Sequence, residues 1–245
     1  MAKIRIAKAF TIHHVKLIIR LILLLATIGV YVASDFKSEI TDNEILFGII
    51  WVFLFITMIE RLVPMKSESI GSEKQFEKHF RPAKKILEKL TAPNEKRALF
   101  VALVWIAVNA VFGFLYIKGI FDTGIMFIIT MLYAVGDMVC VIYYCPFQQL
   151  LGNRCCTTCR IYNWDSIMMV TPLIFVKNVW TFILVVMAII IFIRWEYTLH
   201  KHTERFLEKT NLTLRCINCP EKYCTRRIKF PKNDILGDIK KALKK

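Results

Sequence analysis

Ser166–Ile193 reads SIMMVTPLIFVKNVWTFILVVMAIIIFI, an apolar run of 28 residues interrupted at Lys177-Asn178 and carrying Pro172. Its threading decides the fold, because the run separates two cysteine-rich stretches of the chain. The interruption leaves 11 residues on one side (166–176) and 15 on the other (179–193). At helical rise these pieces reach about 16 Å and about 22 Å. Each falls short of a bilayer core of about 30 Å. Two threadings follow. Either the run is a re-entrant hairpin that returns the chain to the side it left, or a single helix crosses and its first turns overhang the membrane.

Four further apolar runs precede it: Val15–Ala33, Ile45–Val63, Ala98–Ile117 and Gly124–Tyr144. Hydrophobic residues make up 56% of the 245-residue chain and the mean hydropathy is +0.48. Ordinary soluble domains hold about 45–50%. This composition excludes a soluble enzyme, a secreted disulfide domain and a disordered tail. The basic flank before Val15 resembles that of a signal peptide, but no small-residue cleavage site follows and further spans do. The predicted fold class is an all-α integral membrane protein of four to five transmembrane helices, with its last apolar segment broken or re-entrant. It divides into a transmembrane hairpin with a basic N-terminus (1–65), an amphipathic connector (66–97), a second transmembrane hairpin (98–145), a Cys-rich loop (146–165), the broken segment (166–195) and a basic Cys-containing tail (196–245).

Charge assigns the sides. Lys and Arg number 34 against 19 Asp and Glu, a net charge of +15. Residues 1–20 carry Lys3, Arg5, Lys8, Lys16 and Arg20 and no acid, whereas 34–44 is acidic. The segment 66–97 holds nine basic and five acidic residues, and the tail from Glu196 holds thirteen and six. Lys and Arg concentrate on the cytoplasmic side of membrane proteins. The rule therefore places the N-terminus, 66–97 and 146–165 in the cytoplasm. For the tail it favours the hairpin threading, while the single crossing is the simpler geometry. The basic residues flank spans and form no folded basic face with stacking aromatics, so nucleic acid is not the expected partner. The expected partners are the lipid bilayer and a redox partner protein.

Eight cysteines supply the candidate chemistry. Cys145, Cys155, Cys156 and Cys159 form one group with Cys140 before them; Cys216, Cys219 and Cys224 form the other. Each group contains Cys-x-x-Cys, at 156–159 and 216–219. Two residues between thiolates let a tight turn aim both sulfurs at one ion, and two such knuckles supply a four-sulfur shell for zinc or an iron–sulfur cluster. The knuckles meet only if the tail returns to the face carrying the first group, so hairpin threading and a joint metal site stand together. A proline follows Cys145 and Cys219, as at the last cysteine of bacterial ferredoxin runs, though the surrounding spacing differs. Tyr143, Tyr144, Tyr162, Trp164 and Tyr223 are placed to shield a cluster from water or to anchor spans at the interface. Cys140 reads as a small buried core residue. Stable disulfides are not expected on a reducing side.

Two ionisable residues fall inside apolar runs, Asp137 and Lys177, and such groups are functional candidates by default. Lys177 lies twelve residues from Asp165, so those two can neutralise one another. Asn109 and Asn178 are interhelical hydrogen-bond candidates, and Glu60 and Arg61 read as interfacial. Asp165 or Ser166 suits the N-cap of a helix starting at Ile167. Apolar residues recur near helical spacing over Ser72–Leu90, predicting an amphipathic helix broken by Pro82. The expected function is a membrane metalloprotein engaged in redox or electron transfer through a cysteine-ligated iron–sulfur centre. The alternatives are a zinc-stapled adaptor without catalysis and a small transporter using Asp137 and Lys177.

Overall fold

The computed structural model describes residues 2–34, 44–64, 75–83, 95–152 and 158–215. All regular structure among them is helical; a single isolated bridge joins Pro82 to Asn211. The helices are α1 (Ala2–Ala33), α2 (Glu44–Leu62), α3 (Glu95–Ile117), α4 (Thr123–Ile142), α5 (Pro146–Leu151), α6 (Asp165–Val170) and α7 (Val179–Lys201). Among the described residues, five helices (α1, α2, α3, α4 and α7) are long and apolar enough to cross a membrane. Their outward faces carry large apolar side chains, such as Leu25, Ile106 and Phe182, each more than 60% exposed. Such a surface suits a lipid bilayer.

α4 occupies the centre, against α1 on one side and α6 with the turn that follows it on the other. A methionine-rich core runs through the bundle, including Met58, Met126, Met131, Met138 and Met169. Unbranched thioether side chains adapt to irregular gaps between packed helices. α3 and α4 are joined by a tight turn in which Gly119 takes φ of 72°, a backbone conformation that glycine adopts without Cβ strain. Asp122 then caps α4, its side chain accepting from Ile125 N.

The run Ser166–Ile193 doubles back. α6 continues into a 3-10 turn, Thr171–Phe175, with Pro172 in its first positions, where a missing N–H costs little. Six α-helical and five 3-10 residues advance the chain by about 19 Å. Val176–Asn178 is extended or irregular, and Asn178 caps α7 by accepting from Trp180 N at 2.8 Å. Two landmarks on α2 show the direction of travel. At the start, Asp165 lies 3.2 Å from Arg61; at the turn, Trp51 Nε1 donates to Trp180 O at 2.9 Å. Ten residues separate Trp51 from Arg61, about 15 Å along the helix. α7 then runs back, and Trp195 Nε1 donates to Arg61 O at 3.2 Å. The hairpin therefore begins and ends beside Arg61, with its turn beside Trp51. The descending arm is enclosed by α3, α4 and α7, with Val170 and Leu173 buried.

At that same end the connector and the tail pack together. Phe76 sits edge-on to Trp195, Arg205 pairs with Glu77 at 2.9 Å, and Gln75 donates to Asn163 at 2.9 Å. The amphipathic helix expected over Ser72–Leu90 is absent from its described part: residues 75–83 hold one 3-10 turn, Glu77–His79, followed by extended chain bridged to Asn211. The apolar residue Phe76 faces the core beneath the bundle, and its burial there overrides helical periodicity.

Candidate functional site

At the Arg61 end of the bundle, three ion pairs surround one small cavity. Lys16 Nζ is 2.6 Å from Glu60, Arg20 Nη1 is 2.8 Å from Asp137, and Arg61 Nε is 3.2 Å from Asp165. They arise from simple spacings. Lys16 and Arg20 are four apart on one face of α1, Glu60 and Arg61 close α2, and Asp137 projects from α4 toward α1. Arg20 also donates to Ala134 O, completing its contact with α4. Arg61 is the most enclosed: its guanidinium stacks on Tyr162 with 4.4 Å to the ring centroid and on Trp195 with 5.3 Å, and Nη2 donates to Tyr162 O at 2.7 Å. It thereby joins α2, the chain before α6, and the end of α7. These groups line a polar cavity of about 40 Å³ together with Thr57 and Ser166. That volume admits water and nothing larger.

A second cavity, of about 190 Å³, adjoins it. Its walls are Trp105 of α3, Leu132, Tyr133 and Gly136 of α4, Phe147 of α5, and Met168 of α6. Cys140, Cys145 and Cys159 all border it. Asp137, Tyr162 and Asp165 line both cavities and form the partition between them. Cys159 is buried in a small apolar cluster with Ala98, Val101, Leu151 and Ile161, which fastens the cysteine loop to α3 and α5.

The loop is tied to α7 as well. Arg160 Nη2 is 2.6 Å from Glu196, and Trp164 Nε1 donates to the same carboxylate at 2.7 Å. The root of the tail is thus held beside the first cysteine group. The described tail ends at Arg215, the residue before Cys216. Cys155, Cys156, Cys216, Cys219, Cys224 and Tyr223 lie outside the described residues. Among the described residues no three His, Cys, Asp or Glu side chains converge closely enough to hold a metal ion.

Several sequence expectations change in detail. Asp165 pairs with Arg61, while Lys177 is exposed at the hairpin turn, so the two do not neutralise one another. Asp137 and Lys177 stand at opposite ends of the hairpin and share no site. Asp165 begins α6, where its carboxylate accepts from Ser166 N at 2.6 Å. Asn109 does bridge helices, receiving Tyr133 Oη at 3.4 Å, but Asn178 serves as a local cap. Glu60 and Arg61 are internal partners. The signal that marks them is present in the sequence: a charged pair within α2, matched by Lys16 and Arg20 one turn apart in α1.

No protein-family model, curated protein or solved structure matches this chain. Fold and site define the class: an all-helical protein with five helices of membrane-crossing length and a multi-pass membrane character, whose polar chemistry gathers at one end.

Proposed function

We propose that this chain is a membrane metalloprotein that transfers electrons through a cysteine-ligated iron–sulfur centre at its cysteine-bearing, cytoplasmic end. The supporting observation is the Arg160–Glu196 contact at 2.6 Å, which holds the Cys159 loop beside the root of the tail. Cys159 and the described part of the tail, which ends at Arg215, then lie at one end of the bundle, as a shared sulfur shell requires. The hairpin from Asp165 to Lys201 is a re-entrant element in this reading. Irregular backbone at membrane depth is stable where protein covers it; Val176 of the turn is buried, as are Val170 and Leu173 of the arm before it, while Lys177 faces outward. The Lys and Arg excess of the connector and tail orients that end toward the cytoplasm, where thiols persist as ligands.

The test is elemental and sulfide analysis, with an absorbance spectrum, of full-length protein purified without air. Iron and acid-labile sulfide in equal amounts, both lost in Cys159→Ser and Cys219→Ser, are the expected result. Protein devoid of both overturns the reading. Stoichiometric zinc with no visible absorbance assigns the knuckles to a zinc-stapled adaptor instead.

A further inference from the structure

We infer that the larger cavity, between α3 and α4 at the cysteine-bearing end, is a binding site for the ring of a lipid-soluble quinone. The binding follows from the cavity; its redox meaning rests on the electron-transfer reading above.

Size is the first argument. A hydrocarbon-lined cavity of roughly 150 Å³ admits a benzene ring, and this one measures about 190 Å³. One substituted ring fits within it. The walls provide flat surfaces, with the Trp105 and Tyr133 rings 4.4 Å apart and Phe147 nearby. Planar aromatic walls favour a planar guest through offset or edge-on ring contacts.

The second argument is the mouth. Leu132, Gly136 and Cys140 border the cavity one helical turn apart along α4, and Leu132 is 55% exposed on the apolar outer face. A Cβ placed on Gly136 meets no atom within 4 Å, so the wall is open there. A guest enters from the lipid phase, with its alkyl tail left outside among the exposed apolar side chains.

The polar lining is the third. The Cys140 thiol, outside the knuckles, is a weak donor, and the Asp137 carboxylate, paired with Arg20, is an acceptor. Together they suit a ring oxygen both as carbonyl and as hydroxyl, the two forms a quinone takes. A saturated acyl chain makes no use of either group. Asp137 also borders the water-sized cavity, which links the site to a polar compartment.

The test uses full-length protein in lipid nanodiscs and a radiolabelled alkylquinone substituted at every ring carbon, so that thiols cannot add to it. Saturable binding near one per chain is expected. Gly136→Leu fills the opening and should weaken binding about tenfold or more, while Gly48→Leu on α2, whose Cβ also meets nothing within 4 Å, leaves it unchanged. Leu132→Trp, which narrows the mouth from outside, provides a second variant should Gly136→Leu lose its thermal transition. Absence of saturable binding, equal weakening by the Gly48 control, or equal displacement by a saturated fatty acid overturns the inference. Iron is assayed on the same sample. Saturable quinone binding by iron-free protein upholds this site while removing the electron-transfer reading, and iron-replete protein without binding does the reverse.

Discussion

Arg160 and Glu196 meet at 2.6 Å across the mouth of the hairpin, with their side chains 17% and 14% exposed. Trp164 shares the carboxylate at 2.7 Å. Removing one member of a buried pair strands the other and costs about 3–5 kcal/mol; with this residual exposure, about 2 kcal/mol is expected. Glu196→Ala should therefore lower the unfolding midpoint in detergent by several degrees, and Glu196→Gln by less, because an amide still accepts from Trp164. A midpoint that does not move would show that the loop is held by its apolar cluster alone.

The hairpin places Lys209 at the opposite end of the bundle from Lys118, and both are exposed. An impermeant amine reagent applied to sealed, right-side-out and inverted vesicles should label them from opposite sides, as peptide mass spectrometry can read. Labelling of both lysines from one side would convert the re-entrant arm into a full crossing.

Arg61 lies 3.2 Å from Asp165 beneath Tyr162 and Trp195. Asp165→Asn leaves its guanidinium charge without a counter-ion, at an expected cost of about 3–5 kcal/mol. The double variant Arg61→Met/Asp165→Asn should recover part of that loss, since no uncompensated charge remains. Denaturant or thermal unfolding of the four-member cycle measures the coupling. Additive losses would mean that the two residues act independently.

Gly113 and Gly136 give opposite expectations for the same substitution. A Cβ on Gly113 collides with the Phe175 ring, the point where α3 touches the hairpin's descending arm. Gly113→Ala should destabilise by about 1–3 kcal/mol. Gly136→Ala meets open space and should match or exceed the wild-type midpoint, because alanine is the better helix former by about 1 kcal/mol. Circular dichroism melts of the two single variants decide the matter.

Much of this fold was legible in one dimension. Four apolar runs of bilayer length and the break at Lys177-Asn178 all correspond to observed elements. The candidate site was legible in residue type more than in partnership. Cys145 and Cys159 stood out by spacing, and Asp137 by its apolar surroundings, yet Glu60 and Arg61 read as interfacial. Long basic side chains close to a helix end look alike in sequence whether they reach outward to headgroups or inward to a carboxylate. The choice depends on which face the neighbouring helix covers. Phe76 shows the same limit, for its helical periodicity yields to a binding surface offered by Trp195, more than a hundred residues away.

Composition and periodicity by themselves determined the class, the approximate spans and the basic character of the connector and tail, because each depends on local hydropathy and charge. The parity of the chain was left open by that information, since a broken run of 28 apolar residues is compatible with one crossing or none. Tertiary structure shows the run doubling back, so that its two ends lie beside Arg61. Packing against α3, α4 and α7 encloses the short arm that could not stand alone, and Arg61 binds the two ends of the hairpin to a single level. Neither the bordering of one cavity by Cys140, Cys145 and Cys159 nor its opening at Gly136 is visible in their spacing, because both depend on how far α3 stands from α4.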